Sequence, residues 1–97
     1  MTTTDLTTTD IATLLRDKLE GRLGSREPQI TGRPETLIDE VIELLDYAEM
    51  RGSEDAADAF GDGLRALGRA GRSTGPAHSH ALAAARRSLL EGASLLT

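Results

Sequence analysis

The two histidines of the chain, His78 and His80, are the side chains best suited to bind a metal ion. Histidines two residues apart can chelate a metal in a loop or a strand, but on a helix they point in different directions. A helix is predicted to begin at Pro76, and no carboxylate lies nearby in the sequence. We therefore expect one partly buried and one exposed histidine, and no metal site.

Carboxylates are concentrated between Pro34 and Met50, in the segment PETLIDEVIELLDYAEM. An acid–base pair needs a pocket that separates the two pKa values, and a di-iron carboxylate site needs Glu-x-x-His on inward helix faces. No glutamate of this chain has a histidine three residues later, and the chain has no cysteine for thiolate catalysis or zinc binding. The sequence therefore predicts a protein that is not an enzyme, with no catalytic residue, no cofactor and no small-molecule substrate.

Three arginines, Arg65, Arg69 and Arg72, recur every three or four residues and form a patch of the kind that binds phosphate. The patch has no aromatic neighbours on which bases could stack, and the chain carries a net charge of −5. The Gly-rich stretch at 61–63 is not followed by the Gly-Lys-Ser/Thr of a phosphate-binding loop. Nucleic acid is thus disfavoured as a partner, and a DNA-binding regulator is kept as the second alternative function.

Charge is segregated along the chain. Residues 34–62 carry ten acids against Arg51, a net charge of −9, whereas residues 63–97 carry five arginines against Glu91, a net charge of +4. The acidic middle and the basic end are predicted to pair, either within one chain or between copies. Within one chain, the arginines would neutralise the carboxylates of the second helix.

The periodicity of apolar residues predicts an all-α fold, a small four-helix bundle or a helical array. The Thr-rich residues 1–6 are predicted to be a flexible N-terminus, and residues 7–97 a single helical domain. The approximate helices are 8–22, 34–51, 54–70 and 76–95.

Helix boundaries are marked by capping residues. Thr7 and Asp10 are spaced to cap the first helix reciprocally. Pro34 suits the first position of the second helix, and Gly52 suits its C-terminal cap. Ser53 is predicted to cap the third helix through its side chain.

Two apolar columns run along the second predicted helix, and both are expected to face the core. One column is Leu37, Val41, Leu44 and Ala48, and the other is Ile38, Ile42 and Leu45. The remaining face is acidic, and it is either a solvated surface or a docking surface for a basic partner. The acidic residues predicted to bind a partner are Asp39, Glu40, Glu43, Asp46 and Asp58.

A narrow apolar seam runs along the fourth predicted helix from His78 to Leu96, with alternating four- and three-residue spacing. Its leucines and small residues suit close pairing with one other helix. The residues predicted to form a self-association seam are Leu82, Ala85, Leu89 and Leu96.

These features predict a non-enzymatic protein–protein interaction module: a small adaptor, regulatory or structural subunit that self-associates or belongs to a larger assembly. The alternative is an acidic inhibitor or antitoxin-like protein that blocks a basic surface of a target, including a nucleic-acid-binding one. No apolar run reaches the roughly 20 residues that span a bilayer, and the N-terminal residues lack the pattern of a secretory signal. A cytoplasmic location is predicted, with a protein partner or a homo-oligomer and no membrane contact.

Overall fold

A computed structural model describes residues 7–19 and 30–96 of the chain. Those ranges contain four α-helices and no strand, which confirms the predicted all-α bundle; none of these helices is long and apolar enough to cross a membrane. The helices are α1 (Thr8–Leu19), α2 (Leu37–Met50), α3 (Glu54–Gly71) and α4 (Gly75–Leu96), and a 3₁₀ turn, Pro34–Thr36, leads into α2. The predicted flexible residues 1–6 and the predicted end of the first helix, 20–22, lie outside the described residues.

The start of α1 is held by the reciprocal cap that the sequence predicts. The Thr7 amide donates to Asp10 Oδ2 at 3.0 Å, and the Asp10 amide donates to Thr7 Oγ1 at 3.2 Å. Both amides belong to the group of N–H donors that have no partner inside the helix. The helix buries Ile11, Leu15 and Leu19, and that face packs against α4.

The end of α2 is a glycine cap, also as predicted. Gly52 has φ +75°, a conformation that a side chain would strain. Its amide donates to the Glu49 carbonyl at 3.0 Å, and the Ser53 amide donates to the Ala48 carbonyl at 2.9 Å. These two bonds satisfy carbonyls that the helix itself leaves unpaired, and they turn the chain into α3.

The predicted side-chain cap of α3 is wrong. Ser53 makes no side-chain capping bond, and only its carbonyl takes part, accepting from the Ala57 amide at 3.0 Å. The tight turn after Gly52 already fixes where α3 begins, so the Ser53 hydroxyl is not needed to define the start.

The α3–α4 interface is the most extensive in the bundle, and glycines make it possible. Gly63 of α3 faces Leu89, whose Cγ would lie 2.7 Å from a Cβ at position 63. Gly92 of α4 faces Phe60, whose ring would lie 2.9 Å from a Cβ at position 92. Because a methyl group at either position would overlap a buried side chain, the two helices interlock at van der Waals contact. This interlocked pair forms the centre of the core, with α2 packed on α3 and α1 packed on α4.

The seam of α4 is part of this core, which corrects its assignment to self-association. Leu82, Ala85 and Leu89 are no more than 1% exposed, and Leu96 packs partly buried against the same core. The seam does pair with another helix, as its spacing indicates, but that helix is α3 of the same chain. The Ala and Gly residues of α3 let it approach α4 closely enough to cover the seam.

Candidate interaction surface

The outer side of α2 carries two isoleucines that the sequence analysis assigned to the core. Ile38 and Ile42, one helical turn apart, are 50% and 44% exposed. The assignment of their column to the core is wrong because α3 covers α2 from one side only. Leu45, the third member, is half-buried and leans toward α3, with its Cδ1 3.8 Å from where a Cβ at Gly61 would lie. Ile38 and Ile42 are called the α2 ridge below.

Carboxylates line one side of the α2 ridge. Asp39, Glu43 and Asp46 are all exposed and follow one another at four- and three-residue spacing. No ion pair found among residues 7–19 and 30–96 involves any of them. Like charges at this spacing repel by a few tenths of a kcal/mol per pair. A basic partner would relieve that repulsion while covering the ridge.

Glu40 does not belong to this acidic surface, which corrects its predicted place in the partner-binding set. Its side chain is 7% exposed because residues 30–36 fold over the first turn of α2. Oε1 accepts from the Thr31 amide at 3.1 Å, and Oε2 accepts from the hydroxyls of Thr31 at 2.7 Å and Thr36 at 2.5 Å. Glu40 is therefore an anchor for the incoming segment, because three donors take the place of water around its carboxylate.

The last member of the predicted acidic set lies on another helix. Asp58 is exposed on α3, whereas Asp39, Glu43 and Asp46 share α2. Its place in the partner-binding set stays a prediction, and the three α2 carboxylates are the ones that follow the ridge along its own helix.

The arginines do not neutralise the α2 carboxylates, contrary to expectation. Arg65 contacts Asp62, one turn earlier on its own helix. Arg69 and Arg72 are exposed, and no ion pair in the part of the chain that the structure describes includes them. With Arg65 held by an acid, the predicted patch for nucleic acid has only two unpaired arginines.

The side of α4 that faces away from the core is basic and slightly concave. Arg86 and Arg87 are exposed there, and neither takes part in an ion pair within the described ranges. A shallow depression runs between them over Leu90, which is half-buried. The residues that line it, called the α4 outer face below, are Ala83, Arg86, Arg87, Leu90, Glu91 and Ser94.

The two histidines are placed as predicted, one partly buried and one exposed. His78 Nδ1 lies 2.7 Å from the carbonyl oxygen of Ala70, which can only accept, so Nδ1 carries the proton. This bond ties the start of α4 to the last turn of α3, and it gives His78 a structural role. His80 is exposed. No group of three or more His, Cys, Asp or Glu residues is placed to share a metal ion in the described part of the chain.

Sequence patterns indicated the exposure of Asp39, Glu43 and Asp46, but they misplaced Glu40 and missed the ridge and the α4 outer face. The α2 ridge follows helical spacing one residue after the buried column, so periodicity alone includes it in the core. A usable signal was that Asp39 and Glu43 each directly follow one of the isoleucines. No family model matches this chain, and neither a curated protein nor a solved structure is significantly similar to it.

Proposed function

We propose that this chain is a non-enzymatic protein–protein interaction module that docks through the α2 ridge and the carboxylates beside it. The observation that supports the proposal is the exposure of two isoleucines on a helix whose other apolar column is fully buried. An amphipathic helix that serves only a core places polar residues on its solvated side. The chain would work as a small adaptor, regulatory or structural subunit. The proposal includes a cytoplasmic location and no cofactor.

Covering the α2 ridge would stabilise a complex. Burying a whole isoleucine side chain contributes about 1.5–3 kcal/mol. Because Ile38 and Ile42 are each about half exposed, covering both contributes about 2 kcal/mol. The apolar contact would form the centre of the interface, and the carboxylates would select a basic partner and speed its approach.

The unpaired carboxylates also favour a second candidate, an acidic inhibitor that occupies a basic surface of a target, including one that binds nucleic acid. In that case Asp39, Glu43 and Asp46 would provide most of the binding free energy, and the ridge would contribute little. The two candidates differ in which substitution removes binding: loss of the apolar ridge or reversal of the acidic charge.

Site-specific photo-crosslinking in the host cell tests the proposal. A photoreactive phenylalanine analogue replaces Ile42, and in a control variant it replaces Lys18, which is exposed on α1. We expect irradiation to give a discrete protein adduct from position 42 and none from position 18, because position 42 lies on the ridge. The readout is the mass of the adduct on a denaturing gel and by mass spectrometry.

Two further variants carry the probe at position 42 and separate the candidates. Ile38→Ser should weaken the adduct if the ridge is the binding surface. If the chain is an acidic inhibitor, the combination of Glu43→Arg and Asp46→Arg should abolish the adduct. In that case Ile38→Ser should leave the adduct intact. Absence of any adduct from position 42, or the same adduct from position 18, would contradict docking through α2.

A further inference from the structure

We infer, on the basis of the proposed function, that the α2 ridge docks on the α4 outer face of a second copy of this chain. The two surfaces have opposite charge. Asp39, Glu43 and Asp46 lie beside the ridge, while Arg86 and Arg87 border the depression. All five charged side chains are exposed, and none of them takes part in an ion pair within the described residues. The two arginines of the α4 outer face outnumber Glu91, so each surface has a net charge opposite to that of the other.

The shapes also match. The α2 ridge is a pair of side chains at i and i+4, which stands out from the helix as a short row. Besides its three charged residues, the depression is lined by Ala83, Leu90 and Ser94, two of which are small. A row of large side chains packs into a groove lined by small ones when two helices cross at about −50°.

A second copy is the occupant favoured by the charge pattern of the chain. Its acidic half and its basic half do not neutralise each other internally at these positions, so two copies can do so reciprocally. In a two-fold dimer the α2–α4 contact forms twice, which doubles its contribution. The same contact made head to tail would instead build an open filament of copies.

The expected association is weak. Each contact involves one helix face, so the interface falls in the small class, which is typical of weak complexes. The net charge of −5 on each copy opposes approach at low ionic strength. At about 0.15 M salt that long-range repulsion is screened beyond about 8 Å, whereas the ion pairs at contact persist.

Sedimentation equilibrium of the purified chain at this ionic strength tests the inference with two charge-reversal variants. One variant carries E43R and D46R, and its α2 becomes basic like its α4. The other carries R86E and R87E, and its α4 becomes acidic like its α2. Each variant alone should associate at least about tenfold more weakly than the unchanged chain, because its two surfaces now repel.

Mixing the two variants in equal amounts should restore association, because each basic surface then finds an acidic one on the other copy. A control variant with K18E and R72E has the same charge change as the α4 variant but lies outside both surfaces. It should associate like the unchanged chain. Matched circular dichroism spectra of all variants show that each retains the helical fold.

Three results would overturn the inference: an unchanged chain that stays monomeric up to about 1 mM, an α4 variant that associates normally, or a mixture that fails to restore association. A monomeric chain whose probe at Ile42 still crosslinks to a different polypeptide would remove the second-copy partner and leave the proposed function standing. A monomeric chain with no adduct at all would remove both.

Discussion

Large apolar side chains lie both in the α3–α4 interface and on the outer side of α2, but they are buried in the first region and half exposed in the second. Between α3 and α4, Gly63 and Gly92 let Leu89 and Phe60 fill the space, and both large side chains are fully buried. On α2, Ile38 and Ile42 stand about half exposed beside carboxylates. The difference lies in the neighbour. Between α3 and α4 a glycine of the facing helix makes room for each large side chain, whereas α3 packs on the other side of α2 and leaves Ile38 and Ile42 half exposed.

The α3–α4 interface and the α2 ridge therefore have different roles. The α3–α4 interface stabilises the fold, so substitutions there should act on the free energy of unfolding. The fold covers only about half of each isoleucine of the α2 ridge, so substitutions there should act on association more than core substitutions do. Glu40 lies between the two cases, since it is on α2 but buried, and its substitution should act on stability alone.

The largest expected effect comes from a methyl group at Gly63. Gly63→Ala places a Cβ against Leu89, which is fully buried and cannot move without displacing its neighbours. Overpacking of this kind costs about 1–3 kcal/mol, and it should outweigh the roughly 1 kcal/mol that alanine gains over glycine inside a helix. We expect a net loss of stability in urea unfolding monitored by circular dichroism.

Gly61→Ala is the matched control, two residues away on the same helix. Its Cβ would lie 3.8 Å from Leu45 Cδ1, an ordinary contact, so only the helix propensity should change. This variant should be more stable than the unchanged chain by about 0.5–1 kcal/mol. Equal effects of the two substitutions would mean that α3 and α4 do not interlock at Gly63.

A smaller effect is expected at Glu40. Glu40→Ala leaves the Thr31 amide and the two threonine hydroxyls without their acceptor, which costs about 1–3 kcal/mol for buried donors, at the low end because Thr31 is partly solvated. Hydrogen exchange of the Thr31 amide should quicken in the same variant. Glu43→Ala, the exposed control, should change stability by no more than about 0.5 kcal/mol and leave that amide unaffected. Identical behaviour of the two variants would show that Glu40 is solvated.

Sequence patterns were sufficient for the fold because its main signals are local. The reciprocal cap of Thr7 and Asp10, the glycine cap at Gly52 and the buried column that starts at Leu37 depend on residues close in sequence. Local signals of this kind fix where helices begin and end and which side is apolar. They do not say how many neighbours a helix will have.

The features that the sequence did not predict depend on contacts between distant parts of the chain. The burial of Glu40 requires residues 30–36 to fold back over α2. The exposure of Ile38 and Ile42 follows from α2 having α3 on one side only, and the burial of the α4 seam follows from the approach of Gly63. Spacing predicted that the seam would pair with a helix, but it could not distinguish a helix of the same chain from one of another copy.

The central claim is that the α2 ridge serves association more than the fold, and the double variant Ile38→Ser, Ile42→Ser tests it most directly. Two quantities are measured: the free energy of unfolding in dilute solution, where association does not contribute, and the amide chemical shifts over a dilution series. Because each isoleucine is about half-buried, we predict a loss of about 2 kcal/mol in the free energy of unfolding, well below the cost of removing two core isoleucines.

The unchanged chain should show concentration-dependent shifts along the α2 ridge and the α4 outer face, and the double variant should show none. Leu14→Ser, at a 39% exposed position of α1 outside both surfaces, should retain those shifts. A double variant that loses about 4 kcal/mol or more of stability, as two core isoleucines would, or one that keeps the concentration-dependent shifts, would contradict the claim.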